Sequence, residues 1–333
     1  MRNVSCLGGW LSTDQSRTPM VDRVGGRPEA RPPNGGGALG PRGRGLFGRL
    51  LDGMRGDTSQ RSEACSIAIS SGKGGTGKSF VATSLAVLLH RAGRRTTLVD
   101  CDFGLAADHL LLGVKPAASL QQLLAGKATL AQVLVETPCG PRLLPGASGV
   151  RKLAAMTDKE TLTFAREVAE VAADNDVVLL DLGAGISPAV VLTMLAADHV
   201  VVVTQPEIAA LVDAYAVVKC VAQLQPNARF HVLVNRVQTP GRGEQAFQKL
   251  TEVARQHVGI SLDYLGEVLE DPRVSQHRLG QLPLVVTEPE ASTSVALRGI
   301  AQRLSEVAGP LQPRLVDAEH GIEGRFRSHR LFL

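Results

Sequence analysis

Gly72-Lys73-Gly74-Gly75-Thr76-Gly77-Lys78-Ser79 is the stretch that decides the fold. It satisfies G-x-x-x-x-G-K-[ST], with a short apolar strand expected over Ser66–Ser70 before it and a helix over Phe80–Ala92 after it, ended by Gly93. Glycines let the backbone wrap a phosphate chain without side-chain obstruction. The loop N–H groups and the helix N-terminus supply the favourable field. Lys78 is placed for the β- and γ-phosphates and the Ser79 hydroxyl for Mg²⁺. Gly72, Lys73, Gly74, Gly75, Thr76, Gly77 and Phe80 complete the candidate nucleotide cradle.

A rival shares part of the pattern. Gly72, Gly74 and Gly77 also spell G-x-G-x-x-G after a strand, and Asp100 ends the next strand near where a ribose-binding acid belongs. Lys78 and Ser79 would be idle in a dinucleotide fold, yet a phosphate loop with a metal requires both. The run Val177-Val178-Leu179-Leu180 ending in Asp181 is a buried strand delivering a carboxylate, which the rival does not need. The phosphate loop is the better reading.

Outward from the loop, strand and helix patterns alternate. Strands are expected at Thr96–Val99, Arg142–Leu144, Val177–Asp181, Val200–Thr204, Phe230–Val234 and Leu262–Leu265. Helices are expected at Ala107–Leu112, Leu120–Leu124, Leu130–Val135, Asp158–Ala173, Val190–Ala196, Ile208–Gln223, Gln245–Gln256 and Val295–Val307. Alternation of this kind makes an α/β fold with a mostly parallel sheet covered by helices on both faces. The 333 residues are 44% hydrophobic, enough for a sizeable core.

Residues 1–63 differ in composition from the rest of the chain. Gly25, Gly26, Gly35 to Gly37, Pro28, Pro32 and Pro33 predict a mostly disordered arm. The arm carries ten Arg, no Lys and six acids, which accounts for the whole chain's net charge of +4. The body after it is formally neutral, so nucleic-acid binding by the body is disfavoured, because phosphate neutralisation supplies most such affinity. Five widely spaced cysteines fit reduced thiols better than a disulfide framework. No apolar run reaches membrane-spanning length and no secretory pattern opens the chain, so a cytoplasmic protein is expected, free or held at a surface.

Lys73 makes the loop K-G-G-T-G-K-S, which resembles the deviant Walker A loop of the MinD/ParA group of P-loop ATPases. Further segments agree in order. Asp100-Cys101-Asp102-Phe103-Gly104-Leu105-Ala106 resembles that group's switch I, and Asp181-Leu182-Gly183-Ala184-Gly185-Ile186 its Walker B and switch II. Thr204-Gln205-Pro206-Glu207 with Asp213-Ala214-Tyr215, then Val234-Asn235-Arg236, continue the series. Leu110-Leu111-Leu112-Gly113, Leu143 to Gly149 and Gly183 to Ser187 look most like the FlhG family (FleN, YlxH), regulators of flagellar number and placement. The resemblance covers residues 64–310, leaving a C-terminal tail over 311–333.

That resemblance implies Mg²⁺-dependent ATP hydrolysis, slow without a partner, and a homodimer formed on ATP, with Lys73 reaching across to the partner's phosphates. It implies that Asp102 orients the attacking water, that Ser79, Asp100 and Asp181 belong to the Mg²⁺ centre, and that Asn235 and Arg236 meet the adenine. It leaves open a division-site role or a DNA-segregation role in place of the flagellar one. A signal-recognition-type GTPase or a polar protein is an implied partner, although only Asp14-Gln15 of the short motif used for that GTPase is present. Two segments are candidates for membrane contact. One is the stripe Leu46, Phe47, Leu50, Leu51 and Met54, a possible amphipathic helix over 45–55 with arginines at its flanks. The other is the tail Arg325 to Leu333, which mixes basic side chains with Phe326 and Leu331 to Leu333.

Overall fold

The computed structural model describes residues 61–102, 104–146, 156–277, 280–311 and 314–330. The arm to residue 60, with the 45–55 stripe, lies outside the described residues, as do Phe103, Ala147 to Gly149 and Leu331 to Leu333. In chain order the elements are β1 (Arg61–Glu63), β2 (Cys65–Ser70), α1 (Lys78–Arg91), β3 (Thr96–Cys101), α2 (Asp108–Leu111), α3 (Leu120–Leu124), α4 (Leu130–Val133), β4 (Val135–Glu136) and β5 (Arg142–Leu144). There follow α5 (Asp158–Ala173), β6 (Val177–Leu182), α6 (Pro188–Ala196), β7 (His199–Thr204), α7 (Ile208–Leu224), β8 (Phe230–Val237), α8 (Arg242–Val258) and β9 (Asp263–Leu269). The last are α9 (Pro272–Gln276), α10 (Leu284–Thr287), α11 (Ser292–Val307), β10 (Arg314–Val316) and α12 (Ile322–His329).

Eight strands form one sheet in the order β4-β5-β3-β6-β2-β7-β8-β9, and every pairing except β4 with β5 is parallel. The central strands β2, β3, β6 and β7 are buried at every position, because helices cover both faces. Alternate side chains serve the two layers. Ile67, Ile69, Leu98, Leu179 and Val201 pack with Leu85 and Leu89 of α1 and Leu297 and Ile300 of α11. Ala68, Val99, Val178, Leu180 and Val202 pack with Phe164 and Val168 of α5 and Val217 and Val221 of α7. Each such Leu, Ile or Val contributes roughly 1.5–3 kcal/mol through burial. The fold class is therefore the one expected.

The ends of the chain depart from expectation. Arg61–Glu63, assigned to the arm by its composition, forms β1 and pairs antiparallel with β10 in a two-stranded ribbon. The tail does not present Phe326 to a membrane. Phe326 and Ile322 are buried, and the Phe326 ring meets Phe164 of α5 edge-on at 5.5 Å. Its alternation of apolar and basic residues suits a protein surface as well as a lipid one, because arginines can pair at the rim while the aromatic face is covered. Glu63 fixes the start of α12 by accepting from the Ile322 N–H at 2.8 Å. The sequence pattern does not predict α9 and α10; Pro272 opens α9 and the Asp271 carboxylate caps it through Arg273 N at 3.0 Å.

Candidate nucleotide-binding site

The loop from β2 to α1 is held from three sides. Ser71 Oγ donates to Lys73 O at 3.0 Å, Gln205 Nε2 to Gly75 O at 3.2 Å, and Asn235 Nδ2 to Thr76 O at 2.8 Å. Gly72 lies against the backbone of Asp213, where a Cβ would stand 2.2 Å from the carbonyl carbon. Gly77 takes φ +84°, a left-handed conformation that turns the chain into α1. Among the described residues no side chain caps α1, and no acid stands in its first turn, so its leading N–H groups face the loop's concavity.

Beneath the loop, β3 and β6 bring Asp100 and Asp181 opposite each other. Lys78 Nζ donates to Asp181 Oδ1 at 2.7 Å, with both side chains buried. Burial alone would lower the Lys78 ammonium, but Asp181, with Asp108 and Asp102 beyond it, holds the group above its ordinary range. Asp100 accepts from Asp102 N at 3.1 Å and Asp108 N at 3.2 Å. Burial, then the Asp181 charge, still pushes its carboxyl up to about 7. Burial raises Asp181 as well, against the opposing pull of Lys78 and Ser79. Asp181 Oδ2 has no hydrogen-bond partner among the described residues. A buried surplus of carboxylate of this kind fits a hard divalent cation such as Mg²⁺, with the Ser79 hydroxyl beside Asp181.

Asp102 opens the loop that follows β3 and turns toward the loop that follows β6. Its Oδ1 accepts from Gly104 N at 3.1 Å and Leu105 N at 3.0 Å, and it faces Gly183. Lys73 turns outward onto Glu207, Nζ to Oε2 at 3.2 Å. Beside the loop lies a cavity of about 310 Å³ lined by Gly75, Gly77, Phe80, Asn235, Arg236, Glu270, Asp271 and Thr293. Arg236 has φ +56° and grips Glu270 through its guanidinium at 2.9–3.1 Å. Nearby in β9, Glu267 is turned away from this cavity. It accepts from Gly241 N and Gly243 N at the start of α8.

The structure thus gathers the expected residues into three adjoining parts: a loop, a carboxylate cluster and a side cavity. Two participants carry no role that the sequence pattern assigns. Glu207 lies inside a recognisable motif with nothing to mark its pairing, and Asp108 falls in an ordinary helical stretch.

A phosphate-type loop between a central parallel strand and an uncapped helix, with carboxylates at the ends of the neighbouring strands, defines a P-loop nucleotide-binding protein. The chain belongs to the CobQ/CobB/MinD/ParA nucleotide binding domain family, whose sequence profile matches residues 67–284. It is similar to the antiactivator FleN of Pseudomonas aeruginosa, 33% identical over 248 residues, 74% of this chain and 89% of FleN. It is also similar to the flagellum site-determining protein YlxH of Helicobacter pylori, 30% identical over 251 residues, 75% of this chain and 82% of that protein. Among solved structures, the septum site-determining protein MinD of Pyrococcus horikoshii in complex with Mg-ADP superposes with a TM-score of 0.62 at 28% identity, covering 74% of this chain and 98% of that one.

Proposed function

We propose that the protein is a Mg²⁺-dependent ATPase that dimerises on ATP and acts as a spatial regulator of flagellar number or placement. Chemistry and site are supported by the cluster beneath the loop, where Lys78, Ser79, Asp100 and Asp181 converge. The flagellar assignment is supported by the similarity to FleN and YlxH.

Lys78 and the loop N–H groups bind the β- and γ-phosphates, while Asn235, Arg236 and Asp271 line the cavity that takes the base. Ser79, Asp100 and Asp181 would hold Mg²⁺, which would supply charge neutralisation for phosphoryl transfer. A carboxylate is a weak base at neutral pH, so Asp102 orients the attacking water rather than deprotonating it.

One observation carries dimerisation: a rim of exposed apolar side chains beside the phosphate loop. Leu105, Ile186, Ile208 and Val212 are 81%, 50%, 79% and 60% exposed. Each adjoins a residue that touches the loop or the carboxylates: Gly185 N donates to Ser71 O, Glu207 pairs with Lys73, Asp213 covers Gly72, and Leu105 N donates to Asp102. Apolar groups clustered in this way await a partner surface. The Lys73–Glu207 pair is solvent-exposed and worth at most about 1 kcal/mol, so Lys73 can leave it for a partner's phosphates.

Light scattering with and without ATP tests this reading. Wild type should double in mass with ATP and Mg²⁺, and Lys73→Ala should bind nucleotide yet stay monomeric. A variant that dimerises and hydrolyses normally would remove Lys73 from the mechanism.

A further inference from the structure

Asp108 opens the four-residue helix α2 and is wholly buried. An acid at a helix N-terminus ordinarily points to solvent, where the helix dipole favours it. Here the backbone does the structural work: Asp108 N donates to Asp100 Oδ2 at 3.2 Å and ties α2 to the end of β3. The side chain has no comparable duty. Among the described residues no nitrogen or hydroxyl donor reaches either of its carboxylate oxygens; the Asp181 carboxyl lies close enough to share a proton with it, and its charged neighbours are Asp181, Asp100 and Lys78. Lys78, the one cation among those neighbours, is already committed to Asp181 at 2.7 Å. A buried carboxyl group set against two others, with no cation of its own, opposes folding, and an asparagine of the same shape would relieve that penalty. A group kept against stability, and aimed into a cluster already short of positive charge, is answering to something that arrives later.

We propose that Asp108 is a third carboxylate of the Mg²⁺ centre, a positioning residue that holds a water of the metal's hydration shell beside those held by Asp100 and Asp181. This rests on the proposed Mg²⁺–nucleotide site. Mg²⁺ dehydrates reluctantly and is held largely through its waters, so a carboxylate that never touches the ion still sets its affinity. Because Asp108 opens α2, metal occupancy also becomes linked to the segment from Asp102 to Leu111 that carries the exposed Leu105.

Asp108→Asn separates this role from a structural one, because the two predict opposite signs. Three quantities are measured on wild type and variant: the melting temperature without metal or nucleotide, the affinity for ADP in EDTA, and the affinity of the ADP-bound protein for Mn²⁺ by electron paramagnetic resonance. The expected result is a higher metal-free melting temperature, unchanged or tighter metal-free ADP binding, and Mn²⁺ affinity lower by about tenfold or more. Asp108→Ser, which keeps a short polar side chain without the charge, should show the same loss of Mn²⁺ affinity. Unchanged Mn²⁺ affinity in both variants would overturn the proposal, and a lowered melting temperature alongside it would make Asp108 structural. A wild type that binds ADP but takes up no Mn²⁺ would overturn it while leaving nucleotide binding standing. A wild type that does not bind ADP would remove the underlying reading and the proposal with it.

Discussion

Two clusters of buried charge sit near opposite ends of the central strands, and they are built on opposite terms. At the carboxyl ends of β3 and β6, Asp100, Asp108 and Asp181 face one ammonium, Lys78, and burial raises all three acids. At the amino ends, Glu63 and Asp198 meet two guanidiniums: Arg314 reaches Asp198 at 2.9 Å, and Arg325 reaches Glu63 at 3.5 Å and Asp198 at 3.4 Å. Burial pushes Asp198 up, yet Arg325 and Arg314, with the two hydrogen bonds from Ser66, hold the carboxyl below its ordinary range. Glu63 feels the same arginines less and remains raised by its burial. One cluster is balanced within the chain and closes the fold. The other holds three carboxyl groups to one ammonium, the imbalance that the proposed Mg²⁺ site would answer.

Breaking the balanced cluster should cost most. Arg325→Ala removes the guanidinium that also donates to Ala196 O and Ser66 Oγ, leaving two buried acids short of charge. Denaturant unfolding should show a loss of about 3–5 kcal/mol, opposite in sign to the gain expected for Asp108→Asn. A loss below about 1 kcal/mol would mean that the two clusters do not differ as described.

A middle-sized effect comes from His199 and His231, whose rings meet at 3.0 Å beside Asp198 and are both buried. Burial, then the His231 charge, lowers His199 to about 4. The unfolded chain takes up a proton near pH ~6.5 that the folded chain refuses until about 4, so U binds more protons than N across that window. Stability should therefore fall as pH drops from about 7 to about 4.5, by on the order of 2 kcal/mol from this pair. His199→Phe should flatten that part of the profile in equilibrium unfolding, and an unchanged slope would assign the acid sensitivity elsewhere.

The smallest effect is expected at an exposed pair at the amino ends of β3 and β6. Arg95 reaches Asp176 at 2.8 Å with 58% of its side chain exposed, and Arg95→Ala should cost no more than about 1 kcal/mol, less at high salt. A larger loss in thermal unfolding would show that pairing here matters by geometry rather than by burial.

The loop, the sheet and the order of the motifs were legible because each is local. Lys78 and Ser79 follow a glycine run, and the fully apolar Val177–Leu180 points to a strand buried on both faces. What escaped depends on separation along the chain. Glu63 caps a helix that starts 259 residues later, and Glu207 pairs with a lysine 134 residues before it. The α12 pattern was compatible with lipid or with protein, and only the shape of α5 around Phe164 decides between them. Asp108 was hidden for a different reason, since the inward turn of one side chain at a helix start leaves no trace in periodicity.

The clasp between β1 and β10 has a geometric consequence. Ala64 N donates to Ala172 O at the end of α5, whereas Arg330, beyond α12, comes within 3.9 Å of Asp158 at its start. The helical rise between Asp158 and Ala172 separates the two attachment points by about 21 Å. α5 is thus a ruler spanning the two described extremities of the chain. A pair of dyes on Ser62 and Arg330 would sit at short energy-transfer range and lengthen whenever α12 peels away, so the fold provides its own gauge of whether its last helix is fastened.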